Sequence, residues 1–80
     1  MSKALKLLAK FKSAKGTFKW NELTVLLSQL GFEKVEAEGS RVTFTNGVIV
    51  IKLHKPHPQK ELKAYAVKQV RNMLKNEGLL

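Results

Sequence analysis

The apolar residues of this chain change period at Phe32. Upstream, Trp20, Leu23, Leu26, Leu27 and Leu30 recur at helical spacing, and Gly31 sits where a left-handed C-terminal cap belongs. Downstream, polar and apolar residues alternate, the mark of strands with one buried face. A chain with both periods must join helices to a sheet.

The strand region is punctuated by turn residues. Residues 33–37 read as a first strand, with Gly39 and Ser40 as its turn, followed by strands at 41–45 and 48–54. Between the last two lies Asn46-Gly47, the strongest short hairpin signal, read as a two-residue type I′ turn. Such a turn sets Thr45 opposite Val48, Phe44 opposite Ile49, Thr43 opposite Val50, Val42 opposite Ile51 and Arg41 opposite Lys52. Val42, Phe44, Ile49, Ile51 and Leu53 then form the core face, while Arg41, Thr43, Val50, Lys52 and His54 line the other. Two cations directly opposite each other cost stability. Folding gives no reason for Arg41 beside Lys52, whereas a phosphate between them does.

Helices flank the strands. Residues 3–14 place Ala4, Leu7, Leu8 and Phe11 on one face with lysines between them, a pattern that fits packing on the rest of the chain better than membrane-surface binding. Gly16 ends that helix, and the second opens within residues 17–23 and runs to Leu30. Pro58 suits a first helical position, so the last helix is expected over 59–76. It buries Leu62, Ala66, Val70, Met73 and Leu74, shows Lys60, Lys63, Lys68, Arg71 and Lys75 outward, and ends at Gly78. The expected architecture is α+β, in the order α-α-β-β-β-α. A three-stranded antiparallel sheet has helices on one face and its other face open. All 80 residues form one domain, with 1–16 as an N-terminal helical extension and 17–80 as the core.

Charge points to the partner. Fifteen lysines and arginines against six acids leave +9, and only Arg41 and Arg71 are arginines. This surplus calls for a polyanion. Lysine-rich surfaces suit phosphate contacts more than base reading. There is no cysteine, hence no disulfide or thiolate metal site. No apolar run spans a bilayer and no secretory signal is apparent, so a cytoplasmic protein with no membrane partner is expected.

Chemistry concentrates in His54-Lys55-Pro56-His57-Pro58-Gln59-Lys60, between the last strand and the last helix. A helix N-terminus attracts anions, and two imidazoles beside lysines can bind a phosphodiester and exchange a proton with it. A metal is not expected. His54 and His57 are three apart in an extended Pro-bounded segment, so their rings need not converge, and no carboxylate of ligand-like spacing joins them. The plainer alternative makes His54 an exposed strand residue and His57 a spacer between two prolines. No nucleophile elbow, P-loop, dinucleotide fingerprint or paired acid is present.

From Phe18 to Leu79 the chain resembles the HicA toxins of HicA–HicB toxin–antitoxin systems. The resemblance rests on Phe18-Lys19-Trp20-Asn21-Glu22-Leu23 with Leu27 and Leu30-Gly31-Phe32, then Gly39-Ser40-Arg41-Val42, then His57-Pro58-Gln59-Lys60-Glu61-Leu62-Lys63. It implies a fold like the double-stranded-RNA-binding domain and a metal-independent, cofactor-free endoribonuclease that cleaves mRNA. It also implies silencing by a HicB-type antitoxin.

One position departs from the family pattern: Arg41 stands where a histidine taken as catalytic usually follows Gly-Ser. Arginine stays protonated and cannot act as a base, but it can hold a phosphate or stabilise a transition state. The acid–base role then passes to His57, which matches the second histidine of the family's His-x-x-Lys-Glu-Leu-Lys stretch, with His54 next. Arg41, Lys52, Lys55, Lys60, Lys63 and Ser40 are the expected RNA and phosphate ligands. The competing function is a non-catalytic RNA-binding or partner-binding module of the same fold. DNA binding is weaker, since no helix-turn-helix pattern is apparent.

Overall fold

The structure is a computed structural model that describes residues 3–56 and 59–80, with side chains described from Leu5 onward. The elements in chain order are α1 (Lys3–Lys12), β1 (Phe18–Lys19), α2 (Trp20–Gln29), β2 (Glu33–Glu36), β3 (Arg41–Thr45), β4 (Val50–His54), β5 (Glu61–Leu62) and α3 (Ala64–Asn76). The fold is α+β. An antiparallel sheet in the order β2-β3-β4 carries Val42, Phe44, Ile51 and Leu53 into a core shared with all three helices. Trp20, at the start of α2, lies against Phe44 with ring centroids 5.8 Å apart. The opposite face, with Arg41, Val50, Lys52 and His54, is exposed.

Both long-range helices end as their glycines require. Gly31 has φ +93°; its N–H donates to the Ser28 carbonyl, and the Phe32 N–H donates to that of Leu27. That pair of bonds is a Schellman cap, and the buried Phe32 and Leu27 supply its apolar contact. The same bonds recur after α3, from Gly78 to Lys75 and from Leu79 to Leu74.

Helix α1 packs onto the fold. Phe11 is 0% exposed and meets Phe18 edge-on, with centroids 5.1 Å apart. Lys10 pairs with Glu22 at 2.8 Å, and the Arg71 guanidinium donates to the Ala14 carbonyl.

Three local expectations are corrected. First, α2 begins at Trp20 and α3 at Ala64, because Phe18–Lys19 and Glu61–Leu62 pair as a second, two-stranded sheet, with Phe18 facing Leu62. The Trp20 N–H continues this pairing to the Lys60 carbonyl at 3.0 Å. Burying Phe18 and Leu62 together outweighs the local helical pattern, and neither segment signals its distant partner. Second, Val67 is buried in α3 while Met73 is 36% exposed, so the stripe runs Ala66, Val67, Val70, Leu74.

Third, the hairpin is not type I′. Asn46 lacks the positive φ such a turn needs, and in this turn only Gly47 has one, at +94°. Instead the Asn46 side-chain oxygen accepts from the N–H groups of Val48 (3.0 Å) and Ile49 (2.8 Å), closing a four-residue loop. The register moves by two: Thr45 faces Val50, Thr43 faces Lys52 and Arg41 faces His54. An even shift keeps every side chain on its expected face. It does replace Lys52 by His54 as the residue opposite Arg41.

Candidate nucleic-acid interface

The β3–β4 ladder is bracketed by two backbone bonds, Lys55 N–H to Ser40 carbonyl at 2.7 Å and Asn46 N–H to Ile49 carbonyl at 3.3 Å. Antiparallel pairs alternate in type, so Arg41 and His54 form a non-hydrogen-bonded pair. In such pairs the Cα atoms approach to about 4.5 Å and the side chains lie closest. Lys52 occupies the next row on the same face, opposite Thr43. Arg41, Lys52 and His54 make no side-chain hydrogen bond or ion pair among the described residues. Their polar groups are therefore open to a ligand.

Two hollows meet at this point. One, about 350 Å³, lies on the open face and is lined by Ala37, Arg41, Thr43, Lys52 and His54 with the backbone beneath. The other, about 450 Å³, runs along the outer edge of β4 towards the first turn of α3. Lys52, Leu53 and His54 belong to both. Lys55 and Lys63 line the second groove, and its floor includes the buried Leu53, Leu62 and Ala66.

The expected site residues are therefore distributed as follows. Arg41, Lys52 and His54 converge, Lys55 and Lys63 flank them, and Ser40 is tied in through its backbone carbonyl. Lys60 is exposed and lines neither hollow. His57 and Pro58 lie outside the described residues. The helix N-terminus expected beside them is at Ala64 instead, where Lys63 provides no side-chain cap. Gln59, part of the stretch already singled out, lines the edge groove as well, and so do Tyr65 and Gln69, which the sequence pattern did not single out. With the last helix expected from 59, Tyr65 fell within its body, just off the apolar stripe.

Of the acids, Glu61 lines the edge groove, and the others lie elsewhere. Glu33 and Glu36 are on β2 and Glu38 is in the turn after it, all exposed, while Glu22 is bound to Lys10 and Glu61 accepts from Thr17 at 2.8 Å. The sheet thus has an acidic β2 edge and a basic β4 edge. A larger hollow of about 620 Å³ lies between α2 and β2, with Glu33 and Lys34 its only charged residues.

Fold and site together define a small α+β protein whose basic sheet edge carries an imidazole with no partner among the described residues. Residues 20–79 match the family described as HicA toxin of bacterial toxin–antitoxin, and the chain belongs to that family. It is the toxin member of a toxin–antitoxin pair, whose counterpart is an antitoxin. No curated protein and no solved structure matches the chain. The family match begins at Trp20 and so leaves α1 outside it. Among the described residues no helix is long and apolar enough to cross a membrane.

Proposed function

We propose that the chain is a metal-independent endoribonuclease that cleaves mRNA in the cytoplasm and is held inactive by a HicB-type antitoxin laid over its basic face. The observation that carries this reading is the cross-strand pair of Arg41 and His54 with Lys52 in the next row. In-line cleavage of RNA needs a proton acceptor, a proton donor and cations on the phosphoryl oxygens. The ribose 2′-hydroxyl loses its proton to an imidazole and attacks the adjacent phosphorus. The new O–P bond forms as the P–O5′ bond breaks, giving a 2′,3′-cyclic phosphate. A second acid protonates the departing 5′-oxygen.

His54 is the acid–base group best supported by geometry, and His57 completes the histidine pair in this mechanism. The Arg41 guanidinium, a planar fork, suits two non-bridging oxygens of one phosphate. Lys52, Lys55 and Lys63 hold neighbouring phosphates along the β4 edge, with Ser40 at its end and Lys60 as an outlying contact. An antitoxin with an acidic surface would compete for the same cations.

The test is incubation of the purified protein with unstructured RNA and EDTA, beside His54→Ala and His57→Ala variants. Cleavage in EDTA that disappears in a variant, with RNA affinity nearly retained, is the expected result. Equal loss of binding and cleavage would remove the catalytic assignment. A second reading, a binding module without turnover, is favoured by Arg41 standing at the family's usual histidine position. It predicts salt-sensitive RNA binding with no cleavage by any of the three proteins.

A further inference from the structure

Tyr65 is the only tyrosine in the chain, and 67% of it is exposed on the first turn of α3. Among the described residues its hydroxyl has no hydrogen-bond partner and its ring no aromatic neighbour. It lines the edge groove with Lys52, His54, Lys55 and Lys63 and with Glu61, which accepts from the Thr17 hydroxyl, over the apolar floor of Leu53, Leu62 and Ala66. Gln69 lines the groove too, one helical turn further on and so on the same face of α3. An exposed flat ring, an apolar floor, an adjacent amide and a rim of three lysines against one carboxylate match the chemistry of one unstacked nucleotide. Its base has a π-face and a polar edge, and its backbone carries phosphates.

We infer that the groove between β4 and α3 is a nucleobase subsite in which Tyr65 stacks on one unpaired base of the bound strand. The inference rests on the RNA reading above and deepens it. A base held on Tyr65 sits outside any duplex, so the groove selects single-stranded RNA next to the phosphate bound by Arg41 and His54. Gln69 is placed to offer its amide to the polar edge of that base. The groove, at about 450 Å³ and open along one side, admits a base without rearrangement of the core.

Binding is read by fluorescence anisotropy with a labelled, unstructured 2′-O-methyl RNA, in which the attacking hydroxyl is blocked. The same strand annealed to its complement serves as the duplex probe. Tyr65→Ala is expected to weaken single-strand binding about 5- to 150-fold, the range for loss of one stacked base. Tyr65→Phe, which keeps the ring, should bind as the parent does, and duplex affinity should be the same in all three. Circular dichroism checks that the variants are folded. Single-strand affinity unchanged in Tyr65→Ala overturns the inference and leaves the ring to a protein partner. An equal loss on single strand and duplex, or a loss in Tyr65→Phe as large as in Tyr65→Ala, overturns it as well. If the parent protein binds neither probe, the RNA reading itself fails, an outcome distinct from a parent that binds while Tyr65 proves silent.

Discussion

Asn46 shows how one side chain sets a register. Its oxygen holds two backbone N–H groups of the β3–β4 loop, a turn made by side chain rather than by backbone twist. Asn46→Ala should cost about 1 kcal/mol, the net value of an exposed turn held by such bonds, seen as a lower urea midpoint with unchanged slope. Gly47→Ala forces an L-residue to φ +94° and should cost about 1–2 kcal/mol. Arg41 is the residue on which function turns. Arg41→His separates the two functional readings. If Arg41 holds the phosphate for His54, the change should reduce cleavage about 10²- to 10³-fold, as for loss of a transition-state donor. If the chain is a module that lost its histidine, the same change should create cleavage in an otherwise silent protein.

At the level of elements, α1 lies outside the family match yet inside the core. Phe11 is fully buried against Phe18, and Phe18 in turn faces Leu62 across the β1–β5 pair. The N-terminal helix therefore supports the strand pair that positions the start of α3, and with it Lys63 and Tyr65. Phe11→Ala should cost about 3–5 kcal/mol by chemical denaturation, the range for a buried aromatic truncated in a core. Glu22→Gln, which breaks only the half-exposed pair with Lys10, should cost less than about 1 kcal/mol. A Phe11→Ala protein no less stable than its parent would show α1 to be an appendage.

Over the whole molecule, charge is sorted by sheet edge. Exposed Glu33, Glu36 and Glu38 outnumber Lys34, which pairs with Glu36 at 3.5 Å, on the β2 side, while Lys52, Lys55 and Lys63 outnumber Glu61 at the β4 edge. A polyanion is steered to one side and repelled from the other. With Arg41 and those three lysines as phosphate ligands, the logarithm of single-strand affinity should fall with that of salt at a slope of about −3. Lys63→Gln should flatten that slope by about 0.7, whereas Glu36→Gln should leave it unchanged. An unaltered slope in Lys63→Gln would exclude the β4 edge as the path of the strand.

The helices, three strands, their faces and the glycine ends were legible because they depend on local periodicity and on φ preferences of single residues. Lys52, Arg41 and His54 share a face whether the loop has two residues or four, since side chains alternate with a period of two. The even shift in register protected that reading while changing Arg41's partner. What local pattern could not contain was the pairing of Phe18–Lys19 with Glu61–Leu62, segments more than forty residues apart. That contact depends on burying two side chains that meet only once the chain has folded. It cut the last helix back to Ala64, and so opened between β4 and α3 the groove in which Tyr65 stands.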